Sequence, residues 1–122
     1  MSKDFDFISV GYTAYDFLTL VPGLPVEDSK FEIDNLTIQG GGPSATAAVT
    51  ASRLGLRSSF IGKVGDDYFG KMMIAGLKKE NVDTSRVVVE KGKSSQFAFI
   101  MINKNNASRT CLLYTSDAAD EG

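Results

Sequence analysis

The chain has 122 residues, 43% hydrophobic and 23% charged, the size and make-up of one ordinary globular domain and not of a disordered, collagen-like or disulfide-stapled chain. Apolar runs such as residues 97–102 are far too short to cross a bilayer, and the start, with Asp4 and Asp6, has no apolar leader; no membrane and no export are therefore expected. One Cys and no disulfide framework fit a reducing cytoplasm, and nothing in the charge balance suggests nucleic acid.

Residues 5–11 (Phe-Asp-Phe-Ile-Ser-Val-Gly) are predicted to form a buried first strand closed by Gly11. Residues 12–20 follow as a polar-then-apolar connection, which leaves Asp16 just past the end of that strand. Pro22, Gly23 and Pro25 mark a loop. Residues 31–38 place Phe31, Ile33, Leu36 and Ile38 nearly on period two, a half-exposed strand with a slip at Asn35 of the kind a bulge makes.

Next comes Gln39-Gly40-Gly41-Gly42-Pro43-Ser44-Ala45-Thr46, a bare backbone loop running into a helix predicted over residues 43–54. Proline suits the first turn, Gly55 the C-cap, and the run of Ala45, Ala47, Ala48, Val49, Ala51 and Leu54, with small residues on its buried face, a close approach to a neighbour. Residues 58–64 read as a second core strand. Asp67 is the candidate N-cap of a helix over residues 68–80, with Phe69, Met73, Gly76 and Leu77 inward and Lys78 and Lys79 at its C-terminal end. Strands are predicted at residues 87–89 and 95–102, a turn at residues 103–106, and a last short strand from about Ala107. The order gives an α/β sheet with extra β excursions.

The main-chain N–H groups of such a glycine loop at a helix start can hold a polar or anionic small molecule. As Gly-x-Gly-x-x-Ala, residues 40–45 also fit a dinucleotide fingerprint in form, but they do not sit in the first strand–turn–helix unit, and Asp66 and Asp67 come too late to be its ribose-binding acid. A plain turn that launches a helix is the other local reading. Asp16 could accept hydrogen bonds from two neighbouring hydroxyls, as sugar recognition requires, or simply cap loop backbone. Asp66 and Asp67 are best explained as a solvated acid and an N-cap, with no catalytic role. The chain has no His, so an imidazole base is excluded within it.

Residues 111–122, beginning Cys111-Leu112-Leu113-Tyr114, differ in character and read as the translation of a sequencing-library adapter, with an ordinary C-terminal strand and loop as the other reading. The expected natural domain is therefore residues 1–110. Without Asp117, Asp120 and Glu121 the balance is 13 basic residues against 15 less 3 acidic ones, +1 rather than −2. The sole Cys lies in this tail as well.

Taken together, these segments resemble the ribokinase-like (PfkB) carbohydrate kinases. Residues 11–16, ending in Asp16, look like that family's first strand–loop; residues 41–46 with Arg53-Leu54-Gly55 look like its Gly-Gly loop and following helix; residues 60–70 (Phe-Ile-Gly-Lys-Val-Gly-Asp-Asp-Tyr-Phe-Gly) look like its N-terminal signature. The run at residues 40–49, with Lys93-Ser94-Ser95-Gln96, is similar to the branch containing sulfofructose kinase. The resemblance implies the N-terminal part of a three-layer α/β/α sheet with a small β-lid. It further implies a sugar site made by Asp16, Gly41, Gly42 and Thr46, with Gln96 and Arg109 as lid or anion contacts. Thr46 stands where many members carry Asn, which implies an altered choice of sugar.

The activity implied is phosphoryl transfer from ATP, with Mg²⁺, to a sugar hydroxyl, and the lid implies a homodimer of the whole protein. In the family the catalytic base lies in a Gly-Ala-Gly-Asp segment of the other half, which also binds ATP; the sequence contains no such segment, so this chain is expected to be the sugar-side half and inactive alone. Nucleoside or hydroxymethylpyrimidine substrates, a non-enzymatic sugar- or nucleoside-binding module, and half of a nicotinamide-dependent oxidoreductase are the competing readings.

Overall fold

The structure is a computed structural model that describes residues 4–114. Its first layer is a parallel sheet of β1 (Phe7–Val10), β4 (Ser58–Ile61) and β6 (Val82–Asp83), with β4 central. Helices α1 (Pro43–Arg53) and α2 (Tyr68–Lys79) lie on one face of it. That face owes its close packing to small side chains. Ala45 and Ala48 of α1 meet Phe60 of β4, Leu77 of α2 and Val82 of β6 in one buried cluster. Two serines fasten the helix: Ser9 Oγ donates to Ser44 O and Ser58 Oγ to Ala48 O, both at 2.7 Å, so hydroxyls that would otherwise be buried unpaired hold the helix to the sheet.

A second, four-stranded sheet stands apart in the order β3–β2–β8–β9. It is built from β2 (Ala14–Val21), β3 (Thr37–Gly41), β8 (Phe97–Asn103) and β9 (Arg109–Tyr114). The middle pair β2–β8 is parallel, and both outer pairs are antiparallel. Its aromatic face gathers Phe17, Phe97, Phe99 and Tyr114, and Phe69 at the start of α2 docks on Phe17 and Phe97 with centroids 5.8 and 5.2 Å apart. This sheet is the lid, and β5 (Lys63–Gly65) pairs with β7 (Val88–Glu90) between the two larger sheets in sequence.

The expected α/β architecture with a β-lid is present, and several elements differ from the sequence reading. Residues 12–20 hold no simple connection: most of them form β2, so Asp16 sits within a lid strand. The strand expected over residues 31–38 begins only at Thr37 and runs through Gln39 into the glycines. Upstream of it, the Asn35 side chain replaces backbone pairing, its Oδ1 accepting from Leu20 N at 2.7 Å and its Nδ2 donating to Leu20 O at 3.0 Å. The segment expected as one strand over residues 58–64 breaks at Gly62, where a side chain would strike Gly11 O and the Phe60 ring. Gly76 is exposed, not inward, and α2 stops at Lys79. Ile8 and Val10, expected to be buried, are 52% and 70% exposed, because α1 covers only the other face of β1, where Ser9 bonds to Ser44. Residues Cys111–Tyr114 are paired with Phe97–Ile100 in the lid, and residues 115–122 lie outside the described part.

Candidate functional site

The site is built at the corner where the lid joins α1. Strands β2 and β3 pair so that Ala14 faces Gly41, Tyr15 faces Gly40 and Asp16 faces Gln39. A Cβ on Gly41 would lie 2.6 Å from Asp16 Oδ2, so the carboxylate rests directly on the glycine backbone. Gly42 then turns the chain with φ +92°, a left-handed value that disfavours any side chain, and its missing Cβ lets it approach Tyr12 O. Pro43 opens α1 in its first turn, where its missing N–H is no loss. No side chain caps this helix and no acid stands in its first turn, so no side-chain oxygen from the cap or the first turn compensates its leading N–H groups.

Burial pushes the Asp16 carboxyl above the usual carboxylate range, and the Arg109 charge pulls it part of the way back. Strand register explains why Arg109 is felt there. Asp16 pairs with Ala98 and Ile102 pairs with Arg109, which places Asp16, Ala98, Ile100, Ile102 and Arg109 on one face of the lid. Arg109 itself is exposed.

Thr46 is exposed one turn into α1, and among the described residues its hydroxyl has no hydrogen-bond partner. It lines a groove of about 490 Å³ between α1, α2 and the β2–β3 hairpin, together with Tyr15, Gly40, Gly41 and Arg53. Asp16 does not line that groove, since alternation along β2 turns it to the opposite side from Tyr15. Gly41 borders both spaces, so the glycine corner joins what the strand separates. Gln96 precedes β8, and its main-chain oxygen accepts from Tyr15 N at 3.3 Å, which ties it to the site through backbone. Sequence reasoning passed over Gln39, the register partner of Asp16, and Tyr15 in the groove wall; recognising residues 37–41 as a strand would have found both.

The second glycine segment is occupied with structure. Asp67 caps α2 by accepting from Gly70 N at 2.9 Å, as its sequence position predicts. Burial works against its charge, but hydrogen bonds from Ser95 N, Ser95 Oγ and Gly70 N outweigh that and hold its carboxyl below the usual range. Asp66 accepts from Gly92 N at 3.0 Å. Among the described residues no group of three or more His, Cys, Asp or Glu gathers to hold a metal ion. Nor is any described helix long and apolar enough to cross a membrane.

Comparison with known proteins follows the same lines. Residues 5–122 match the family described as pfkB family carbohydrate kinase. Fructokinase-1 of Zea mays is 34% identical over 113 residues, covering 93% of this chain and 33% of that protein. A nucleoside kinase of Methanothermobacter thermautotrophicus is 30% identical over 106 residues, covering 87% and 34%. Among solved structures, an uncharacterized sugar kinase of Pyrococcus horikoshii in complex with ATP superposes with TM-score 0.76 at 36% identity, covering 93% of this chain and 35% of that one. The fructokinase of Halothermothrix orenii superposes with TM-score 0.76 at 25% identity, covering 93% and 38%. The chain spans about a third of the length of the curated relatives it matches.

Proposed function

This chain belongs to the PfkB family of carbohydrate kinases, and on that premise we propose that it is the sugar-holding part of an enzyme that transfers a phosphoryl group from ATP to a sugar hydroxyl. The observation that carries the reading is the seat of the Asp16 carboxylate on Gly41, beside the uncapped start of α1. A carboxylate fixed on bare backbone can accept hydrogen bonds from two adjacent hydroxyls without losing rotamer freedom, while the N–H groups at the helix start donate to the sugar's oxygens. Thr46, in the groove on the other side of the glycine corner from Asp16, offers a hydroxyl that can donate to or accept from a substrate reaching across Gly41. The lid carries Asp16 on its own strand, so lid and sugar ligand move together, and lid closure would remove water from the transferred group.

ATP would supply the phosphoryl group, and the divalent ion that accompanies it would neutralise charge on the phosphates. The chain's own residues hold the acceptor and orient it. They do not include the proton acceptor that the family resemblance places in a Gly-Ala-Gly-Asp segment. The 122-residue polypeptide should therefore release no ADP with any sugar. We further propose that residues 111–122 are translated adapter; synonymous codons that depart from an adapter would refute this.

The protein encoded by the uninterrupted gene provides the test. ADP release measured over a panel of sugars, sugar acids and nucleosides should rise with a hexose-like acceptor and fall about 100-fold in kcat/KM for Asp16→Asn, the loss expected when a charge-assisted bond to substrate is weakened and its partner misplaced. The nucleosides belong in the panel because one relative is a nucleoside kinase. Full activity in Asp16→Asn would sink the assignment.

A further inference from the structure

The Asp67 carboxylate has both oxygens in use. Oδ1 accepts from Gly70 N at 2.9 Å and from the Ser95 hydroxyl at 2.7 Å, and Oδ2 accepts from Ser95 N at 2.8 Å. The same Ser95 hydroxyl accepts from Gly65 N at 2.9 Å. Ser95 is 2% exposed, so water has no ready access to replace these bonds. The backbones here are in direct contact as well. A Cβ on Gly65 would strike Lys93 O, and one on Gly70 would strike Gly65 O.

Three segments meet in this knot: the end of β5, the start of α2 and the residues that lead into β8. Only Gln96 separates Ser95 from β8, and Tyr15 N bonds to Gln96 O. Asp16 follows at once, paired with Ala98. The parallel β2–β8 pair is the middle of the lid, so the placement of Ser95 sets the placement of Asp16. Close by, the other link is apolar: Phe69, two residues after Asp67, packs on Phe17 and Phe97. A carboxylate knot is directional where an aromatic contact can slide.

We propose that Asp67 and Ser95 are positioning residues that set the orientation of the lid on the helix-covered sheet, and thereby place Asp16, together with its Gly41 seat on β3, against the start of α1. Asp67, read from the sequence as an N-cap only, thus serves the sugar site from a distance. The functional consequence rests on the reading of Asp16 as a sugar ligand; the mechanical claim does not, and the test addresses the mechanical claim.

Single-molecule energy transfer on the 122-residue chain at picomolar concentration reads lid orientation directly, with copies too dilute to meet. In a Cys111→Ser background, dyes at Lys104→Cys in the lid turn and Lys79→Cys at the end of α2 report lid against body. Dyes at Thr50→Cys and Lys79→Cys report the helix pair alone. The parent should show one narrow lid–body peak. Ser95→Ala, and separately Asp67→Asn, should raise a displaced-lid population by roughly tenfold, the effect of a lost hydrogen bond to a charged group, while the helix-pair peak stays in place. An unchanged lid–body peak in both variants overturns the proposal. Equal broadening of the helix-pair peak overturns it too, since the knot would then be general stability and not lid placement.

Discussion

Gly41 and Gly42 are neighbours, yet an added methyl should act on them in opposite ways. At Gly41 the obstruction is Asp16 Oδ2, the end of a side chain that can rotate away. Gly41→Ala should keep stability within about 1 kcal/mol, because alanine in a strand regains roughly that much over glycine. Sugar affinity should nevertheless fall about tenfold as the carboxylate is displaced. At Gly42 the obstruction is the Tyr12 carbonyl at 2.8 Å, and φ is +92°. Gly42→Ala should lose roughly 1–3 kcal/mol in urea unfolding, the range for a side chain forced into a sparsely populated backbone region.

Two carboxyls respond oppositely to pH. Asp16 is raised by burial, so its folded form prefers the proton, and stability from it declines as pH rises from about 4 through the raised value. Asp16→Asn should therefore raise Tm near neutral pH while weakening sugar binding. Asp67 is net lowered, so its contribution is present above about 4 and is lost as pH falls through the lowered value. Asp67→Asn should flatten the acid limb of a Tm-against-pH curve, and a curve parallel to the parent's would contradict the Asp67 network. The Asp67 cap was legible because capping is a local matter of three residues. The pairing of Asp67 with Ser95 was not, since it joins positions far apart in the chain.

At the scale of elements, legibility follows how much of the pattern is local. Helix α1 is written in its own residues: proline at the start, alanines on one side, Gly55 just beyond the end with φ +92°. Strand β2 is not, because Tyr15, Phe17, Thr19 and Val21 on one face and Ala14, Asp16, Leu18 and Leu20 on the other are both mixed, and no period of two emerges. Strand β3 misleads in the other direction: its alternation precedes it, and its own residues end in Gly40 and Gly41, which read as loop. Only the pairing of β3 with β2 makes those glycines a strand, and the same pairing creates the Asp16 seat. Where the local pattern is strong, its purpose can be tested. Ala48 is fully buried under Ser58 and beside Phe60, with no space on either side. Ala48→Leu should destabilise by roughly 1–3 kcal/mol in chemical unfolding, as overpacked cores do. A neutral result would show that α1 can ride outward from the sheet.

Over the whole molecule, the unequal cover of the two sheets governs behaviour in solution. One face of the parallel sheet is sealed by α1 and α2, whereas Ile8 and Val10 on β1 are 52% and 70% exposed. The lid adds Phe99 at 41% and Leu112 at 68%. Isolated exposed apolar residues are ordinary, but β1 and the outer lid strands also offer unpaired backbone at their sheet margins among the described residues. Apolar surface next to open strand edges is the arrangement that recruits further strands. The 122-residue chain should therefore bind a hydrophobic dye while folded, and its sedimentation should shift to larger species as concentration rises. Val10→Lys should weaken that shift without lowering Tm, because the side chain already points into solvent and a charge on a strand edge opposes pairing. A chain that sediments as a monomer at all concentrations and excludes the dye would mean that neither the exposed β1 face nor the lid margin is adhesive.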